Sequence, residues 1–320
     1  MGEAAKFEDA LWSTLVAVGL LGVFGYAVAA TTALMRARQA GSPWTGAWAA
    51  PAREVARLLV RQRTAVPGSD RLLARVGGAL LPIAAIMALL ILPFDSQPRG
   101  PHAISDLSIG VVWFNAMEVL AWVAVWMVGW GSNSAWGVVG ANRFLAQGLA
   151  YELPHMFALV TVAVGAGSLR VSDIAAAQTG GLWFVVVMPV AFIVFLLSVM
   201  GFSFWGPFDQ AVGRDIASGV AAQLSGVDRL VFLVGRYLML TVGSAMAVPL
   251  FLGGDAGPVL PGWAWLLVKT VAVLAVLVWV GQRWPTIRME RFTEISWIVL
   301  LPAGILQALV VSIFVLVGWM

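Results

Sequence analysis

Glu118, Glu152, Arg236 and Lys269 stand inside stretches otherwise built of Leu, Val, Ala, Ile, Trp and Phe. An ionisable group in hydrocarbon costs several kcal/mol unless it has a partner or lines a wet cavity, so each of the four is a candidate functional residue. A buried carboxylate can take up and release a proton. A buried cation can hold such a carboxylate ionised, or simply neutralise it as a static bridge. Proton relay and structural bridging are therefore the two chemistries these residues offer.

The elements around them follow from composition. The chain has 320 residues, of which 61% are hydrophobic and 11% charged. Ordinary globular domains are about one quarter charged, so this is a polytopic membrane protein. The net charge of +3 reports arginines in loops and not a nucleic-acid surface. With no Cys there is no disulfide, iron–sulfur cluster or thiolate zinc site. The only two histidines, His102 and His155, are expected on opposite sides, which argues against a bis-His haem. The first ten residues carry acids as well as Lys6, so the first apolar run is not preceded by the n-region of a signal peptide.

A hydrocarbon core of about 30 Å takes about 20 apolar residues per helix. Spans are expected near 11–34, 76–94, 107–130, 144–168, 181–205, 230–252, 263–281 and 297–320, forming one all-α membrane domain. Fourteen basic residues fall on one side: Arg36, Arg38, Arg53, Arg57, Arg61, Arg63, Arg71, Arg75, Arg143, Arg214, Arg229, Arg283, Arg288 and Arg291. Only Lys6, Arg99 and Arg170 fall on the other, which puts the first loop in the cytoplasm and both termini outside. Within that loop, Arg53, Arg57 and Arg61 recur every four residues beside Trp48, Val55, Leu58 and Leu59. This spacing predicts an amphipathic helix in the interface plane. No internal repeat of the inverted-repeat transporter kind is visible.

Residues 129–154 read GWGSNSAWGVVGANRFLAQGLAYELP. The set Gly129, Trp130, Ser132, Asn133, Ser134, Gly140, Ala141, Arg143, Gln147, Tyr151 and Glu152 resembles the signature of the H-type (subunit 1) family of membrane subunits of respiratory complex I. DLSIGVVWF (106–114), GSLRVSDI (167–174), GPFDQ (206–210), LFLGG (250–254), Lys269 and RWPTIRMERFTEISWIVLLP (283–302) match that family in the same order. Pro51, Glu54, Arg57, Leu58 and Leu59 resemble its helix in the first loop. The resemblance implies a membrane subunit of an NADH:quinone oxidoreductase in the cell membrane, with no redox centre or bound cofactor of its own and quinone as substrate of the complex. It implies a soluble iron–sulfur arm and antiporter-like and small helical subunits as partners. By the same resemblance Glu54, Arg57, Arg143, Gln147, Asp209 and Arg288 fall at the quinone chamber or the soluble-arm contact. Glu118, Glu152, Arg236 and Lys269 then fall on the proton path.

The chain departs from the family where chemistry is expected. The family's Glu-Thr-Asn-Arg run is Phe202, Ser203, Phe204 and Trp205 here, its next acidic cluster keeps only Asp215, and a further acid is Gln223. Its sixth-helix glutamate is Arg236. Counted from the basic side, Glu152 and Arg236 lie about 14 and 11 Å deep, a similar depth. We therefore expect Arg236 to pair with Glu152 or Glu118. Lys269, near the outer end of its span, is expected to snorkel to the interface. His155 lies one turn from Glu152 and reads more simply as a packed neutral side chain than as a relay. Asp106 and Asp173 read as helix caps. Rival functions are the equivalent subunit of an energy-converting hydrogenase, a structural anchor, and a stand-alone secondary transporter.

Overall fold

A computed structural model describes residues 2–64, 66–94, 104–213 and 219–319, with side chains from residue 11 onward. Lys6, Arg99, His102, Arg214 and Asp215 lie outside the described residues or side chains. The chain is helical throughout: α1 (Gly2–Gln39), α2 (Ala50–Val60), α3 (Arg71–Leu89), α4 (Gly110–Gly131), α5 (Ala135–Ala166), α6 (Val171–Ala177), α7 (Phe184–Val187), α8 (Pro189–Phe202), α9 (Gly226–Phe251), α10 (Gly262–Arg283), α11 (Met289–Ile295) and α12 (Leu301–Val317). A π turn, Ser296–Leu300, joins the last two.

Among the described residues, seven helical segments are long and apolar enough to cross a membrane. They match seven of the eight expected spans. The expected span 181–205 is instead divided. Four residues of α7 are followed by Met188 in a non-helical conformation, and α8 then has 14 residues. At 1.5 Å per residue α8 is about 21 Å long, short of the roughly 30 Å of hydrocarbon.

Local sequence explains the helix ends. Asp70 caps α3 by accepting from the Leu73 amide at 3.0 Å. Pro51 opens α2 where its missing N–H costs nothing. In α2, Leu58 is buried against the bundle while Leu59, Val60, Arg53 and Arg57 face outward, as does Arg61 just past its end, as an interfacial helix requires.

Close helix approach depends on small residues, since lipid gives no hydrophobic force between helices. A Cβ on Gly77 of α3 would lie 2.7 Å from the Ala124 carbonyl of α4, and one on Gly131 of α4 would lie 2.8 Å from the Asp70 carbonyl. These contacts hold α3 hard against α4. On the face opposite the basic loops, Asp106 and Asp173 are not the simple caps expected. Both pair with Arg170, at 3.0 and 3.6 Å, and Asp106 also accepts from Ser172, tying the start of α4 to α6.

Candidate functional site

Two of the four intramembrane charges meet in the centre of the bundle on α4 and α5. Asn115 and Glu118 share a face of α4, and Glu152 and His155 share a face of α5, each pair three residues apart. Antiparallel packing brings the two faces together. Asn115 Nδ2 donates to Glu152 Oε1 at 2.9 Å. His155 Nε2 lies 2.9 Å from Glu118 Oε1, both side chains almost wholly buried. The two groups are in contact without the alignment of a hydrogen bond, and neither Glu118 oxygen nor either His155 nitrogen has a hydrogen-bond partner among the described residues. The second carboxylate oxygen of each glutamate makes no protein hydrogen bond among the described residues, so both keep acceptor capacity.

One turn further along α4, Trp122 Nε1 donates to the Tyr151 hydroxyl at 2.7 Å. Tyr151 can sit there because Gly201 of α8 leaves room for its ring, and Trp122 because Gly148 does the same on α5. Phe195 stacks on His155 at 5.3 Å, with Phe114 and Phe202 beside it. The result is a polar ladder inside an aromatic sleeve. The sequence reading did not place Asn115, Trp122 or Tyr151 in this group, while His155 is the packed side chain it expected, buried and stacked on Phe195. The signal was present as two matching three-residue spacings, one on each helix.

Pro154 sits inside the ladder's α5 side. Lacking an N–H, it leaves the Ala150 carbonyl without its helical donor. The Ser296 hydroxyl, from the π turn before α12, donates to that carbonyl. Ser296→Ala strands a buried acceptor and is expected to cost about 1–3 kcal/mol. Thermal unfolding of the purified assembly checks this: a midpoint equal to that of the parent would remove Ser296 from the account, and Ser296→Thr should restore most of the loss.

Arg236 does not pair with either glutamate, contrary to expectation. Its guanidinium donates to the Phe204 carbonyl and lies over the Trp205 ring at 5.1 Å. The charged groups acting on it are Asp209 and Arg36, at the basic end. Position along a helix says nothing of which way a side chain points around it. The target of Arg236 is the end of α8. There Phe204 adopts a left-handed φ of 52°, and the Trp205 and Phe204 amides bond back to Met200 and Gly201, a Schellman closure without glycine. The Phe204 ring holds this strained turn by packing on Phe144 at 4.5 Å and on Phe232 at 5.8 Å.

Lys269 does not snorkel either. It is buried, and its ammonium donates to the carbonyls of Leu252, Gly254 and Ala256 at 2.7, 2.9 and 2.8 Å, with the Trp183 ring 4.3 Å away. It neutralises the carbonyl end of α9. Gln178 completes this knot, donating to Pro249 and accepting from the Gly253 and Phe184 amides.

The residues expected at the chamber divide into two groups. Gln147 is buried and donates to the carbonyls of Gly201 and Phe208 at 3.1 and 3.2 Å, fixing the loop that carries Asp209. Arg143 is half-buried one turn earlier on α5, and Asp209 opens a short 3-10 turn. Glu54 and Arg57, three residues apart on α2, pair with each other at 2.5 Å. The hydrogen bond to Glu54 raises the Arg57 guanidinium further above its ordinary range. Arg288 is exposed just before α11.

A cavity of about 540 Å³ opens between α1, α2 and α9. Its wall is mostly apolar, including Leu58, Leu230, Leu233 and Val234, with Tyr26, Thr32, Arg36, Glu54 and Tyr237 as polar points. The Tyr26 hydroxyl donates to the Trp48 carbonyl, closing the α2 side. Tyr237 packs edge-on against Trp205, so the cavity wall touches the turn that Arg236 holds. Few polar points in an apolar cleft of this size is the usual form of a small-molecule site.

An amphipathic helix roofing an apolar cavity, seven long apolar helices and two carboxylates facing each other's helices between α4 and α5 define a multi-pass membrane protein. Residues 10–312 match the family model described as NADH dehydrogenase. The chain is 34% identical to the second of the H-type subunits of NADH-quinone oxidoreductase in Geobacter sulfurreducens over 267 residues, covering 81% of this chain and 80% of the relative. It is 34% identical to the corresponding second H-type subunit of Cereibacter sphaeroides, covering 80% of each, and 30% identical to the H-type subunit of Geobacillus kaustophilus, covering 81% and 78%. The chain therefore belongs to the NADH dehydrogenase family, the H-type membrane subunits of complex I and related NADH-quinone oxidoreductases.

Proposed function

We propose that the chain forms the wall of a quinone chamber and the first stage of a proton-coupling path in a complex I-like oxidoreductase of the cell membrane. The observation that carries this reading is the apolar cavity under α2, which a quinone's ring and tail fit in chemistry and size. Arg36 and Tyr237 supply donors for quinone carbonyls at its walls. In this reading Glu54, Arg57, Arg143, Asp209 and Arg288 lie on the cytoplasmic side and meet a soluble iron–sulfur arm. Gln147 acts as a brace for that surface.

The Asn115–Glu152 and Glu118–His155 contacts form the coupling path in this reading, handing protons toward antiporter-like partner subunits. Arg236 communicates with it through Trp205 and the end of α8, and Lys269 through the outer end of α9. With α7 and α8 together completing an eighth crossing, both termini lie outside and the basic loops in the cytoplasm.

Filling the cavity tests the reading. Val234→Trp is expected to raise the KM for quinone about tenfold, equivalent to about 1.4 kcal/mol. Electron transfer from the same complex to a water-soluble artificial acceptor should stay unchanged. Equal KM values in parent and variant would rule the cavity out as the quinone route. Mass spectrometry of what co-purifies with the tagged chain identifies the arm: a nickel–iron large subunit in place of a quinone-reducing one would transfer the reading to a hydrogenase.

A further inference from the structure

A second, smaller cavity of about 120 Å³ lies at the basic end, between the start of α3, the end of α4 and the start of α9. It is lined by Arg63, Arg71, Arg75, Ser132, Ser225 and Asp228 among others. Three guanidinium groups face one carboxylate, leaving a net charge of +2 on the wall. Arg63 Nε and Arg75 Nε both approach Asp228 Oδ1, at 3.7 and 3.9 Å. These are ion-pair distances and too long for hydrogen bonds, so the guanidinium forks retain their donors. Arg71 has no ion pair among the described residues. Two long helices, α3 and α9, also turn their N-termini toward this space, adding free amides and positive dipole ends.

The surface beside the cavity is apolar and outward. Leu72 and Val76 follow Arg71 and Arg75 directly along α3 and are 75% and 46% exposed. Trp130 precedes the cavity residue Gly131 and is 57% exposed, as is Trp136 across the turn. Exposed tryptophans of this kind sit at headgroup level. A cationic cradle at headgroup depth, continuous with a lipid-facing apolar stripe, matches an amphiphile with an anionic head. It does not match a soluble anion or a protein surface. We propose that this cavity binds the phosphodiester headgroup of an anionic phospholipid, with the acyl chains lying along the Leu72–Val76 face of α3.

The test uses the assembled complex in detergent, exchanged into phosphatidylglycerol or phosphatidylcholine and examined by native mass spectrometry. Retained phosphatidylglycerol in preference to phosphatidylcholine is expected, with retention falling roughly fivefold for each of Arg71→Gln and Arg75→Gln. Arg291→Gln, which removes an exposed arginine paired with Glu294 elsewhere at the same end, should change nothing. Absence of lipid preference in the parent complex overturns the proposal, whether or not the variants assemble. Release of the lipid by an equal concentration of inorganic phosphate overturns the lipid assignment. A cross-link from Arg75 to a partner subunit's carboxylate, in place of lipid, overturns it as well.

Discussion

Glu118→Gln is expected to leave the complex assembled and able to reduce quinone, while proton translocation falls on the order of a hundredfold. The amide keeps the shape of the carboxylate and its place beside His155, so packing is preserved. What it cannot do is accept and release a proton. His155→Leu should behave differently. It removes the polar side chain that faces Glu118 and leaves the carboxyl buried alone, a loss of about 1–3 kcal/mol that would appear as a lower thermal midpoint. The double variant Glu118→Leu/His155→Leu replaces both polar groups by apolar ones and should recover much of that stability while remaining uncoupled. The readouts are thermal midpoint and proton uptake into vesicles on quinone reduction. Unimpaired translocation in Glu118→Gln would sink the relay and leave the contact as a static bridge.

Lys269→Met is expected to have a comparable effect on stability. Three carbonyls at the end of α9 lose their shared donor, and a buried acceptor without a partner costs about 1–3 kcal/mol. The loop after α9 should loosen, and hydrogen exchange at Gly253 and Gly254 should accelerate. Lys269→Arg retains a cation and several donors, and should keep part of the stability. Proton translocation measured on the same variants separates the two roles. A Lys269→Met complex of normal stability but without pumping would place the lysine on the proton path instead of in the frame. Normal stability and normal pumping together would deny both roles.

The fold was largely legible because apolar length and arginine asymmetry are one-dimensional properties. A run such as VGGALLPIAAIMALLILPF has no reading other than a buried or spanning helix. The break at Met188 was less visible, since LWFVVVMPVAF is continuously apolar and only Pro189 hints at a new helix start. For the site, the sequence showed which ionisable residues fall inside apolar helices. The site was not legible in azimuth. Arg236 turns to the Phe204 carbonyl and not to Glu152, because Trp205 offers a ring and the α8 end offers an orphan acceptor. Where the resemblance expects Asn, a residue at ease in left-handed backbone, Phe204 takes that conformation, and the adjacent aromatic rings and Arg236 hold it. Lys269 was misjudged for a related reason. Its distance from the span's end was known, but the carbonyls of a different helix were not.

The ladder has one stiff rail and one that can bend. The α4 side is welded to α3 by backbone contacts at Gly77 and Gly131 that admit no added methyl group, so Glu118 and Asn115 have little freedom to move. The α5 side contains Pro154, with a carbonyl borrowed by a hydroxyl from a π turn, and such interruptions lower the resistance of a helix to bending. Any shift that reaches the ladder from the basic end is therefore expected to travel along α5. It would move Glu152 and His155 past a fixed counterpart, opening or closing their contacts as a sliding key engages a fixed ward.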